Sequence, residues 1–493
     1  MMIKGWTGKR LRIDLSLRKA WSEEIHQRDL RQLLGGRGLN ASFFSQHFPS
    51  PVSPASAENP IALSVGPLTG TLAPCSGWTS IASFSPLSHP ALYGFTRMPG
   101  HFGVPLKGAG YDQLILQGKA DRPVYLWIDD GRVRFEEAAH LWGKETTETT
   151  VAIEEEKGDR SVEVLCIGPA GERQFPFANV IHRLSWTGDH LGLGYLFGVK
   201  QLKAIAIRGK KPVTLQDPRG FLNLCLSLKD RIQKDQKMRR LGEGGMMNNG
   251  NGGLLRGPEK QWADFLTSHP SGQEGCFACP VHCGRNIEHQ ESYLGGIHLK
   301  KAWCLGPQIG VYDAELTLKL LRFCQAQGLD PFLTGSLLAR IMKGVETDPL
   351  SKEDLRQTDD IWDQGEKAFA ILHRIMNGSR KEFQLTALPV SENEDLDVLA
   401  DIVSFCMIVV NRLNLVTVSN MIELIHGATG YALTIDDLQG IISKVRQMEY
   451  RLQNKEVHWS DQATSLHLGE GQISQILTKE ERRHVSVSNR TAS

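Results

Sequence analysis

Cys276, Cys279 and Cys283 fall within the stretch "CFACPVHCGR" (276–285) of a 493-residue chain that holds 9 cysteines in all. The spacing C-x₂-C-x₃-C lets one tight loop turn three thiolates toward a common centre, with Pro280 and Gly284 assisting the turns. Two kinds of centre accept such a triplet. A tetrahedral zinc ion needs a fourth ligand, for which His282 or a distant cysteine would serve. A [4Fe–4S] cluster takes four thiolates, and three clustered with one remote is a recurring arrangement. Spacing leaves both centres open, and leaves the fourth ligand open among Cys304, Cys324 and Cys406. The first two would equally suit as small buried hydrophobes.

The surrounding composition favours a metal centre over a disulfide scaffold. Nine is an odd count, spread thinly over a long chain, whereas disulfide scaffolds are short and cysteine-dense. Lys+Arg 56 against Asp+Glu 55 gives no basic surface for nucleic acid or an anionic membrane. The opening residues lack the apolar core of a secretory leader, and no stretch approaches the roughly 20 apolar residues that span a bilayer. The expectation is a soluble cytoplasmic protein in a reducing compartment.

The elements that must position the thiols divide into two kinds. Up to about residue 210, short apolar or alternating runs bounded by Gly, Pro or Asp predict strands: 10–16, 61–65, 113–118, 124–130, 162–168 and 203–209. Helices are expected at 28–36 and 146–158. The region also repeats itself: "LSVGPLTG" (63–70) pairs with "LCIGPAG" (165–171), and "YDQLILQGKADRPV" (111–124) with "QLKAIAIRGKKPV" (201–213). Two related half-domains follow. Beyond Pro212 apolar residues recur at helical steps, predicting helices over 222–235, 313–328, 395–413 and 435–453. Asp313 and Gly328 bracket one, and Thr434 caps another whose first turn carries Asp436 and Asp437. The glycine-rich 242–260 reads as a linker or a cavity-lining turn. The expected class is α+β: a β-rich domain 1–210 with pseudo-twofold halves, then helical domains 211–345, with the thiol loop, and 346–493.

Several separated motifs, in order, make the chain resemble the aldehyde:ferredoxin oxidoreductase family of tungsten or molybdenum bis-pterin enzymes. They are "GRGL" (36–39), "GPLTGT" (66–71), "KGAGYD" (107–112), "GPAGE" (168–172), the thiol loop, "GLDPFLTG" (328–335) and "DIVSFC" (401–406). The resemblance implies a [4Fe–4S] cluster on Cys276, Cys279, Cys283 and Cys406. It implies pterin contacts from Arg37, Gly38, Asp330, Thr334 and Asp401, the carboxylates accepting from the N–H-rich pterin edge. Asp401 and Cys406 are expected on one helix, about one and a half turns apart. Taken from residues alone, Asp330 would be a helix cap and Asp401 part of a solvated face.

The chain also departs from that family. His190, in "DHLGLG" (189–194), stands where a phosphate-binding arginine is expected, and Ser80 where an asparagine helps bind a bridging magnesium; Trp78 replaces a nearby arginine. In "HLKKAWCLGP" (298–307), Lys300 or Lys301 occupies the place of a glutamate, and a protonated lysine is no carboxylate base. Glu288 or Glu291 are substitutes to consider, with His298 and His373 as the remaining histidine candidates. The resemblance implies oxidation of an aldehyde or related carbonyl to a carboxylic acid, electrons passing through the cluster to a ferredoxin-like carrier. The alternative is a catalytically degenerate paralogue serving as an iron–sulfur electron-transfer or structural subunit. A homodimer and a heteromeric electron-transfer complex both stay open, as does a zinc-stapled helical scaffold.

Overall fold

The strands of the first 210 residues form two six-stranded sheets of one topology. In a computed structural model that describes residues 3–88, 90–183, 185–242, 265, 271–289, 292–297, 299–343, 364–377 and 395–453, the first sheet holds β1 (Lys9–Asp14), β2 (Lys19–Glu24), β3 (Ile61–Ser64), β4 (Thr79–Phe84), β5 (Tyr93–Met98) and β6 (Gln113–Gln117). The second holds β7 (Val124–Asp129), β8 (Arg132–Glu137), β9 (Glu163–Cys166), β10 (Ile181–His182), β11 (Trp186–Thr187) and β12 (Leu202–Arg208). Their orders are β2-β1-β6-β3-β4-β5 and β8-β7-β12-β9-β10-β11. Pairing matches position by position. β1 and β7 each start a hairpin and lie parallel to β6 and β12, while β3 and β9 run antiparallel to those same strands. The repeated halves expected from short sequence matches are thus present as repeated strand connectivity.

Burial explains the strand patterns. Leu11, Ile13, Leu63, Leu114 and Leu116 of one sheet share a core with Leu126, Ile128, Leu165, Ile205 and Ile207 of the other. β3 is covered on both faces, which is why it reads as a continuous apolar run rather than an alternating one; β4 is buried along its whole length too, but Thr79, Ser80 and Ser83 interrupt its apolar residues.

The remainder of the described chain is mainly helical, as expected for the α+β class. Asp313 caps the helix Ala314–Gln327 by accepting from Leu316 N–H, and Gly328 closes it at φ +71°. Thr434 and Asp437 form a capping box on the helix Ile435–Leu452. One helix expectation needs correction. The apolar run 395–413 is not one helix: Asp395–Val403 stops, Ser404 turns to φ +64°, and a single π-helical turn, Ile408–Arg412, follows. The break is tertiary in origin. Ser404 Oγ accepts from Gly66 N–H at 2.8 Å and Ser404 O from Trp78 N–H at 3.3 Å, bonds that a continuous helix would forbid.

The thiol loop joins two strands of a three-stranded sheet, Ser271–Glu274 and Gly284–His289, with Ser292–Ile297 as the third. The glycine-rich stretch 243–260 lies outside the described residues. Among those described, no helix is long and apolar enough to cross a membrane.

Candidate redox centre

Cys279 N–H donates to Cys276 O at 3.0 Å, which curls the loop, and Ala278 and His282 adopt left-handed φ of +55° and +49°. Gly275 has no Cβ because one would sit 2.5 Å from the His282 ring. Backbone N–H groups of Val281 and His282 point at Cys279 Sγ, and that of Gly100 at Cys276 Sγ. Burial pushes the Cys276 thiol well up, and Cys279, Cys283 and Cys406 push it further. Cys279, Cys283 and Cys406 therefore lie within electrostatic reach of Cys276.

A fifth thiol, which sequence reasoning missed, sits among them. Cys75, at φ +65°, donates its N–H to Ala278 O at 3.2 Å and accepts Cys406 N–H on its carbonyl at 2.9 Å. Its Sγ lies 3.8 Å from Cys279 Sγ. The segment 73–78 is thus the strap that holds the thiol loop against the broken helix. Cys406 lies in that break, not on the helix that carries Asp401. Cys304 and Cys324 are buried, Cys324 in the helical core, in the small-hydrophobe role. Among the described residues no three His, Cys, Asp or Glu side chains converge tightly enough to hold a single metal ion. A cubane asks for a wider spread, each sulfur reaching its own iron.

Glycines seat the Asp401 segment on the N-terminal domain. A Cβ on Gly36 (φ +42°) would lie 2.1 Å from Asp401 O, and one on Gly66 would lie 2.4 Å from the Val403 carbonyl carbon. Asp401 is only 3% exposed, so it belongs to no solvated face. Its Oδ2 accepts from Arg97 at 2.9 Å and from Arg37 at 3.2 Å, while its Oδ1 is buried with no hydrogen-bond partner. Burial raises its pKa and the two guanidinium groups oppose the rise. Arg37 is not a surface residue either: it forks onto Glu449 at 2.8 and 2.7 Å and stacks on Phe95 at 3.5 Å. Arg97 and Glu449 were not singled out from sequence. Arg97 lies opposite Ser80 across β4 and β5 and also donates to Met407 Sδ at 2.7 Å, so one guanidinium spans Asp401 and the neighbour of Cys406. Ser80 Oγ donates to Asp401 O at 3.0 Å.

The other expected contacts have separate roles. Gly38 is required by the preceding helix, since a Cβ would meet Leu33 O at 2.6 Å. Asp330 caps the helix Pro331–Met342, accepting from Phe332 and Leu333 N–H on Oδ1 and from His190 N–H at 2.7 Å on Oδ2. The cap role read from residues alone is therefore real. Thr334 is buried in that helix, its Oγ1 without a hydrogen-bond partner among the described residues. The exposed His190 ring lies 5.3 Å from Phe332. Lys301 is buried and donates to Ser185 O at 2.8 Å and Thr187 Oγ1 at 2.5 Å; burial lowers its pKa against the pull of Asp189 and Asp330. His373 is exposed, its ring tilted against those of Phe323 and Phe369. Glu291 and His298 lie outside the described residues, and of Glu288 only its place in a strand is described. A cleft of about 590 Å³ between Trp21, Tyr111 and Phe135 touches none of these groups.

Residues 10–209 match the family model "Aldehyde ferredoxin oxidoreductase, N-terminal domain", and residues 246–384 match that for domains 2 and 3 of the same family. The tungsten-containing aldehyde ferredoxin oxidoreductase of Pyrococcus abyssi is 32% identical over 372 residues, covering 71% of this chain and 60% of that protein. Its counterpart in Thermococcus kodakarensis is 31% identical, covering 72% and 61%. A Pyrococcus furiosus protein described as aliphatic sulfonate oxidoreductase, WOR-like subunit, is 27% identical over 80% of this chain and 69% of its own length. The chain thus spans about 60% of the length of the tungsten-containing relatives it matches. Among solved structures, the active-site complex BamBC of benzoyl coenzyme A reductase with 1,5-dienoyl-CoA superposes at TM-score 0.76 over 92% of this chain and 90% of that one. At 19% identity the likeness is one of fold.

Proposed function

This chain belongs to the aldehyde ferredoxin oxidoreductase family, and from that premise we propose that it oxidises an aldehyde or related carbonyl to a carboxylic acid. The cofactors of this reading are a tungsten or molybdenum bis-pterin, with magnesium, and a [4Fe–4S] cluster that Cys276, Cys279, Cys283 and Cys406 would hold. A ferredoxin-like carrier takes the electrons. The observation that carries the reading is the buried Oδ1 of Asp401, orphaned among the described residues, on the helix that ends just before Cys406. A buried acceptor without a donor is costly, and a pterin N–H would satisfy it.

Bound there, the metallo-pterin supplies the two-electron chemistry that no side chain can perform. The chain's own part is positional. Arg37 and Arg97 fix the Asp401 carboxylate so that one oxygen is committed and the other stays open for a donor. The Arg97 guanidinium reaches from that carboxylate to Met407 beside Cys406, so a pterin held at Asp401 would be linked through Arg97 to the Cys406 segment. The strap 73–78 keeps the thiol loop in register with Cys406.

A second reading, the degenerate electron-transfer subunit, draws on Lys301 and Asp330. Lys300 or Lys301 stands where a glutamate is expected, and Lys301 is tied to Ser185 and Thr187, while both Asp330 oxygens already serve backbone donors. One preparation separates the two readings. Anaerobically purified protein is assayed for tungsten, molybdenum and pterin, then for aldehyde-dependent reduction of a viologen dye. Metal with two pterins and dye reduction supports the enzyme; iron without pterin and without dye reduction supports the subunit.

A further inference from the structure

Five thiols gather where a [4Fe–4S] cluster binds four, and the fifth is distinguishable from the rest. Cys276, Cys279, Cys283 and Cys406 are partly exposed, whereas Cys75 is 1% exposed. No water reaches the Cys75 sulfur, so its proton must find a partner inside the protein, and the sulfur of Cys279 is in contact at 3.8 Å. Two ligands on different irons of one cubane stand further apart than a sulfur–sulfur contact, so Cys75 and Cys279 do not both hold iron in this arrangement. A fifth thiolate at the buried Cys75 would also face the other four, which disfavours its charge.

Resting on the cluster assignment above, we infer that Cys75 is not an iron ligand but a hydrogen-bond donor to the Cys279 ligand sulfur, placed to tune the reduction potential of the cluster. The backbone makes the placement rigid. The Cys75 N–H is bonded to the thiol loop and its C=O to Cys406, so its Cα is held between both ligand-bearing segments. Its left-handed φ of +65° costs a non-glycine residue energy that the surroundings must override. Cys279 Sγ also faces the N–H groups of Val281 and His282, so the donated bonds concentrate on a single sulfur. Donors to a cluster sulfur stabilise the reduced, more negative state and so raise the potential. The Cys75 S–H belongs to that set, and Cys75 is a positioning and tuning residue for electron transfer.

The test uses the anaerobically purified full chain and the variants Cys75→Ala, Cys75→Ser and Cys406→Ser. Iron and acid-labile sulfide are measured together with the cluster potential, the latter by EPR-monitored redox titration. The inference predicts that Cys75→Ala keeps the iron and sulfide of the parent and titrates at a lower potential. Cys75→Ser, which retains an O–H donor, falls between them, and Cys406→Ser loses iron. Loss of iron in Cys75→Ala with its retention in Cys406→Ser would make Cys75 the ligand and overturn the inference. An unchanged potential in Cys75→Ala would overturn it too, leaving the thiol as packing. A parent chain devoid of iron would instead defeat the cluster assignment itself.

Discussion

The Arg37–Glu449–Asp401–Arg97 group is where single residues matter most. Two carboxylates and two guanidinium groups share a largely buried space, and Arg37 alone satisfies both oxygens of Glu449 and part of Asp401. Removing one member of such a group costs far more than a surface ion pair, about 3–5 kcal/mol, because the partner stays buried and charged. Arg37→Met is expected to lower the urea midpoint accordingly, and Arg37→Lys to recover little, since an ammonium cannot fork. An unchanged midpoint in Arg37→Met would show the pair to be dispensable. At this scale the sequence was legible where chemistry is local. The thiol triplet declares itself by spacing, and Asp401 with Cys406 by resemblance. Cys75, Arg97 and Glu449 carry no local signature. Cys75 meets Cys279 across 204 positions and Arg37 meets Glu449 across 412, so only the fold brings them together.

Among elements, the broken helix after Val403 decides the site's shape. The apolar periodicity of 395–413 continues through the break and so predicts one helix; backbone bonds from Gly66, Trp78 and Cys75 override it. Gly66 is a tight seat, and Gly66→Ala would drive a Cβ against Val403 backbone. A cost of about 1–3 kcal/mol is expected, with a parallel fall in iron content as Cys406 is lifted from Cys75. Gly440 lies inside the helix Ile435–Leu452 with nothing within 4 Å of its would-be Cβ. Gly440→Ala should therefore stabilise by up to about 1 kcal/mol and leave iron unchanged. Chemical denaturation and iron assay on the pair check both statements; equal effects would contradict the seating role. Strands were easier to read than this junction, because β3, β6, β9 and β12 are buried apolar runs whose repeat survives in sequence as well as in connectivity.

For the whole molecule, the two sheets and the thiol loop are coupled through His182 on β10. It is fully buried, accepts His101 N–H at 3.3 Å on Nε2 and faces Val164 O through Nδ1. Burial lowers its pKa to about 4, against the pull of Glu163. The folded chain thus refuses a proton that the unfolded chain takes up below about pH 6.5, so stability falls as pH drops from 6.5 toward 4. The Glu163 carboxyl, whose pKa is lowered by His182 and Arg183, loses stability in the same direction. The histidine contributes up to about 3 kcal/mol across that window. His182→Asn should flatten the urea midpoint between pH 6.5 and 4, and an unaltered slope would assign acid lability elsewhere. His101 is adjacent to His182 in this network and bonds Gly275 O at the mouth of the thiol loop. Acid unfolding should therefore release iron in the same transition.

Everything about this site turns on what the gathered thiols hold. The most direct measurement is iron, acid-labile sulfide and zinc per chain in anaerobically purified protein, with an EPR spectrum after dithionite reduction. The account predicts four irons and four sulfides per chain and a reduced cubane signal that disappears in Cys406→Ser. Zinc in place of iron, or a cluster signal that survives Cys406→Ser unchanged, would contradict it.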